Sequence, residues 1–141
     1  MSLARLIWAA QVAAVDRWKA HAPLAAIIAG RIYDGEVPDD EQGAHPVMPY
    51  VVLDTLTGAP RGALAARGAE ATFSGSVWSA MPSNSEAMQV LGLMDDALQE
   101  KLALDGFNPA RLKMEFATTV VAGRNLRQAP FRCRIISLEA A

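Results

Sequence analysis

The stretch from 71 to 104 limits the possible folds more than any other part of this chain. It opens as Ala71-Thr72-Phe73-Ser74-Gly75-Ser76-Val77-Trp78-Ser79. Ala71, Phe73, Gly75 and Val77 share one face, and Thr72, Ser74, Ser76 and Trp78 the other. A period of two with one apolar side predicts a strand with one buried face. The chain turns at Ala80-Met81-Pro82, and Ser83 followed by Glu86 has the spacing of a helix capping box. Ala87, Val90, Leu91, Met94, Ala97, Leu98 and Leu102 then recur at three- and four-residue spacing. This predicts one amphipathic helix of about five turns. A strand and a helix with one apolar face each cannot close a core alone, so further strands and helices must lie on either side.

Upstream, Leu3 to Ala20 reads as an amphipathic helix, with Leu6, Ile7, Ala10, Ala13, Ala14 and Trp18 on its apolar stripe. Arg5, Asp16 and Lys19 stay in water. Trp8 lies beside the stripe and is assigned to the core, since tryptophan is commonly well buried; an exposed anchor for a partner is the alternative. Pro23 starts a second helix, Leu24 to Ala29, which Gly30 stops. Arg31 to Asp34 is extended. Residues 35–49 hold three prolines and two glycines and read as a loop. Its Asp39-Asp40-Glu41 cluster lacks the frame of a calcium loop and reads as a solvated turn. Tyr50 to Leu56 is a β-rich strand, and Thr57 to Gly68 a long connection.

Downstream, Asp105-Gly106-Phe107-Asn108-Pro109 reads as a helix exit and turn. Arg111 to Ala117 alternates, placing Leu112, Met114 and Phe116 inward. Ala122 to Ala129 is a third connection. Phe131 to Leu138 is the last strand, with Phe131, Cys133 and Ile135 on one face and Arg132, Arg134 and Ile136 on the other. The expectation is one α+β domain spanning 1–141. Its mainly antiparallel four-stranded sheet, two hairpins flanking a central helix, packs against the N-terminal and central helices.

Chemistry is hard to find. The histidines are His21 and His45, and the lone cysteine is Cys133, which excludes an intrachain disulfide and a cysteine metal cluster. HExxH, Walker A and GxSxG motifs are absent. Gly58, Gly62 and Gly68 do not make a dinucleotide fingerprint. Asp95 and Asp96 point about 100° apart on a helix and form no dyad. Cys133, within a strand, reads as a small buried apolar residue. No catalytic residue, metal or cofactor is expected. No apolar run reaches the roughly 18–20 residues of a membrane span, and the first residues read as a helix, not a signal peptide.

Net charge is −2 but unevenly distributed: −3 over 1–54, −3 over 55–110 and +4 over 111–141. Such a chain can contact copies of itself electrostatically; chance unevenness is the plain alternative. Arg111, Lys113, Arg132 and Arg134 can form a basic sheet face, but Phe116 and Phe131 are expected on the opposite face. That leaves no stacking platform for nucleic acid.

Several motifs in order are shared with a known family. They are Gly30-Arg31-Ile32-Tyr33-Asp34 with Val37-Pro38, and Pro49-Tyr50-Val51-Val52-Leu53. Val77-Trp78-Ser79, Ser85-Glu86-Ala87 and Phe131-Arg132-Cys133-Arg134 complete the set. The chain resembles the small tail-completion, or tail-terminator, proteins of long-tailed phages and gene transfer particles. Its Asp39–Val47 insert and its Thr57–Gly68 loop depart from the pattern.

The resemblance implies a structural virion protein and no enzyme. Such proteins form a ring, usually of six copies, that caps the finished tail tube. The ring joins the tube protein to the head-tail connector of the neck and leaves a channel for DNA without sequence-specific binding. It implies a place at the tail-neck junction, after assembly in the host cytoplasm, and no membrane partner. A neck stopper, a tail-tube-like subunit and a small cytoplasmic enzyme are the alternatives. Arg61 and Arg67 in one loop and Arg124 and Arg127 in the other are the candidate interface residues, because arginine is favoured at interfaces. Solvated loop arginines are the plain alternative.

Overall fold

The N-terminal helix, α1, spans Leu3–Ala20, as its apolar spacing predicts. In the computed structural model, which describes residues 2–37, 47–61 and 68–140, Ser2 caps α1 by accepting from the Arg5 N–H. Leu6, Ala10, Ala14 and Trp18 recur every fourth residue and are buried. Trp8 is not core: it is 55% exposed. Two residues past Leu6 it points about 200° away around the helix, which turns it to the far side. The second helix, α2, spans Ala22–Ile28. It starts earlier than expected because Pro23 is tolerated within the first turn. Ala29 and Gly30, both at positive φ, end it.

Eight strands and one more helix follow: β1 (Ile32–Asp34), β2 (Tyr50–Pro60), β3 (Gly68–Ser79), α3 (Ser85–Asp96), β4 (Leu102–Leu104), β5 (Phe107–Ala110), β6 (Lys113–Ala117), β7 (Val120–Gly123) and β8 (Leu126–Leu138). The main sheet has six strands, not four. Its order is β1-β2-β3-β8-β6, and β7 also pairs with β8. All its pairs are antiparallel except β1 with β2. The α+β class and the antiparallel core therefore hold, while the strand count was too low. The two uncounted strands are short: β1, three residues, falls in the stretch read as extended, and β7, four residues, is too short for a period to show.

The central unit differs in detail from its reading. β3 buries Ala71, Phe73, Gly75 and Val77 as expected. The capping box does not form: Asn84 is the N-cap, with no side-chain bond. Glu86 instead accepts from the Ser79 hydroxyl at 2.7 Å, tying the end of β3 to the first turn of α3. α3 ends at Asp96, and Leu102 and Leu104 belong to a separate β4–β5 hairpin. Asp105-Gly106 between alternating apolar residues is a hairpin signal, and Gly106 has φ +81. Arg17 of α1 donates to the Ala97 and Lys101 carbonyls just past the end of α3, where a cation is favoured.

Trp18 holds the core together. Its ring meets Phe73 and Phe131 edge-to-face, each at 6.1 Å, and its Nε1 donates to the Met94 carbonyl at 3.1 Å. One side chain thus joins α1, α3, β3 and β8. Such aromatic pairs stabilise by about 0.5–1.5 kcal/mol beyond the area they bury. The helices cover one face of the main sheet and leave the other open.

Two further corrections concern the C-terminal third. Phe116 was expected inward but is 48% exposed. A register shift between Met114 and Phe116 against β8 moves it to the outer face. Residues 122–129 are not a loop: β7 and β8 meet there at a tight turn. β8 runs 13 residues and buries Ala129, Phe131, Cys133 and Ile135 on its inner side.

Candidate functional site

The residues that carry the family resemblance do structural work. Arg31 donates to the Pro49 carbonyl at 3.2 Å and to the Ile27 carbonyl at 3.1 Å, joining the end of α2 to the start of β2. Tyr33 and Tyr50 meet edge-to-face at 5.8 Å. Neither cluster presents a reactive group.

The open face of the sheet carries a chain of charges. Arg61 at the end of β2 pairs with Glu70 of β3 at 3.2 Å, and Arg134 of β8 reaches the same carboxylate at 3.6 Å. Arg134 also pairs with Glu115 of β6 at 3.2 Å, and Arg132 completes the row to Glu115 at 2.9 Å. The Arg132 guanidinium lies 5.7 Å from the centre of the Phe116 ring. The alternation of strands β3, β8 and β6 places all of these on one side. Phe116 thus shares a face with Arg132, contrary to expectation. Two glutamates set between three arginines make this a largely compensated surface.

The four candidate interface arginines are not brought together. Arg61 is engaged with Glu70. Arg67 lies outside the described residues, as do His45 and Asp39-Asp40-Glu41. Arg124 is exposed in the turn between β7 and β8. Arg127 lies within β8, where it donates to the Gly123 carbonyl at 3.1 Å, to the Leu126 carbonyl at 3.2 Å and to the Pro82 carbonyl. It clamps the hairpin to the turn ahead of α3.

A second surface was not legible in the sequence. Trp8 and Val12 form an exposed apolar ridge on α1 with a hollow on each side. The hollow between α1 and β1 has a volume of about 260 Å³, and Trp8, Gln11, Val12, Asp16 and Asp34 are among the residues that line it. Gln11 is 4% exposed, and its Oε1 has no hydrogen-bond partner. An unsatisfied buried acceptor costs about 1–3 kcal/mol. The signal for this surface was Trp8 itself, beside the apolar stripe of α1.

Among the described residues, no three His, Cys, Asp or Glu side chains gather as a metal site would require. Cys133 is buried; burial first, then the charges of Asp95 and Glu115, push its thiol up to about 12. A thiol so disfavoured as thiolate is no nucleophile at neutral pH. No described helix is long and apolar enough to cross a membrane.

One chain of a solved structure described as "Virion of native gene transfer agent (GTA) particle" has the same fold. Its TM-score is 0.73 at 24% identity, and the alignment covers 96% of this chain and 98% of that one. No curated protein sequence matches. The model of the family described as Tail completion protein gp17 matches residues 12–137. That match spans nearly the whole chain, so this protein belongs to the tail completion protein gp17 family of structural phage tail proteins.

Proposed function

We propose that the protein closes the finished tail tube as a ring of about six copies. The side of the ring away from the tube would meet the head-side connector of the neck, and the centre would remain open for DNA. The observation that carries this reading is the family match over residues 12–137. Membership implies a part in completing a tail, and a part that completes a tube must bind its end without adding further layers.

The fold offers physical support. The main sheet has two unlike open edges, β1 at one end and β6 with β7 at the other. A subunit with two different unpaired ends associates head-to-tail, and such contacts close into rings when the rotation permits. The compensated row of charges on the open sheet face suits a surface that DNA passes without sticking: net positive charge, not paired charge, drives phosphate binding. Assembly would take place in the host cytoplasm, with the protein ending at the tail-neck junction.

Arg61, Arg67, Arg124 and Arg127 carry the partner contacts in this reading. Arg61→Glu combined with Arg67→Glu is expected to leave the circular dichroism spectrum and melting temperature nearly unchanged. The same double variant should lower the number of tails that acquire heads in an in vitro joining assay by about tenfold or more. Normal joining with the double variant would remove these two residues from the contact surface.

A further inference from the structure

We propose that neighbouring copies join through two unlike surfaces of the same sheet. The β6–β7 edge of one copy, led by Val120 and Val121, seats in the hollow between α1 and β1 of the next. The proposal rests on the ring reading above and names the contact that builds the ring.

The first surface is an edge without protection. Phe116 to Gly123 reads Phe-Ala-Thr-Thr-Val-Val-Ala-Gly, with no charge and no proline. Val121 is 69% exposed, and Val120 and Phe116 are exposed beside it. Proteins blunt free sheet edges with lysine, proline or a covering element, because an unpaired edge recruits other chains. Eight uncharged residues on a free edge match a strand that is covered after assembly.

The second surface is the hollow at the opposite end of the sheet, with three strands, β2, β3 and β8, between the two edges. Trp8 and Val12 supply its apolar wall, and Gln11 is among the residues that line it. Charge agrees. Asp16 and Asp34 outnumber Lys19 around the hollow. Arg124 and Arg127 flank the incoming edge, and no acid occurs from Phe116 to Leu138. Opposite charge on the two surfaces favours one copy against the next and disfavours like against like. Because the two patches differ, the contact is head-to-tail, the arrangement from which rings close.

The test uses the full-length chain with a benzophenone amino acid in place of Val121, which is too exposed to be needed for folding. It is irradiated in concentrated solution and in purified tails. The expected product is two copies joined covalently, with mass spectrometry placing the bond within residues 8–19 or 32–34. A copy-to-copy bond elsewhere, or a bond only to a different tail protein, overturns the proposal. So does a ring, seen by light scattering or microscopy, that gives no bond to α1 or β1; in that case the ring reading stands and only this surface falls. Isolated copies both in solution and in tails overturn both. As an independent check, Val121→Asp should cut ring formation by about tenfold or more, while Met88→Asp, at an exposed apolar position on α3, should leave it unchanged.

Discussion

At the scale of single residues, Gly75 shows how tightly the inner face is set. A Cβ there would sit 2.3 Å from the Val52 carbonyl oxygen and 3.0 Å from Cζ of Phe131. The first neighbour is backbone in β2 and cannot swing aside. Gly75→Ala is therefore expected to destabilise the fold by about 1–3 kcal/mol, the usual cost of overpacking. Urea denaturation should show a lower midpoint at an unchanged slope; an unchanged midpoint would mean that β2 and β3 part easily. Cys133 gives a second test. Its folded thiol is raised from 9.0 to about 12, so the neutral form is favoured in the folded state. The stability this gives is complete below pH 9 and is lost as pH rises from 9 towards 12, where only the unfolded thiol ionises. A thiol reagent at pH 8 should therefore label the protein slowly until denaturant is added. Fast labelling of the native chain would contradict the burial.

At the scale of elements, the sequence was most readable where a long period met one neighbour. α1 repeats every fourth residue over 18 residues, and its bounds match the expectation. β3 alternates from Ala69 to Gly75, and β8 from Ala129 to Leu138. Legibility failed where pairing partners, which a sequence does not show, decided the outcome. The shift in β6 that turns Phe116 outward arises from its register against β8. α3 was read through to Leu102 because the apolar residues of β4 happen to continue its spacing. Sequence placed all four candidate arginines in two loops, both of which are partly strand, and Arg127 turned out to lie in β8 and clamp backbone carbonyls. The hollow could not be read beyond Trp8 itself, since it needs α1 and β1 side by side. The charge row on the open face is likewise a product of strand order. Its pairs are exposed, so Glu115→Gln should cost less than about 1 kcal/mol in thermal melts although Glu115 meets two arginines. A loss of several kcal/mol would mean that the row holds β6 on the sheet.

At the scale of the whole molecule, the parts fit one economy. Trp18, Phe73 and Phe131 lock two helices onto one sheet face, which leaves the other face polar and both sheet edges open. Trp8 and Val12 at one end of the sheet and Val120 and Val121 at the other are among the exposed apolar side chains, and no metal-binding cluster gathers among the described residues. On the ring reading proposed above, the subunit acts by where it sits. The measurement that addresses this most directly is electron microscopy of purified tails with subunit counting. The account predicts one ring of about six copies at the head-proximal end of each tube, and tubes of uncontrolled length or without heads when the protein is missing. Copies distributed along the tube, or tails that lack the protein yet join heads normally, would contradict it.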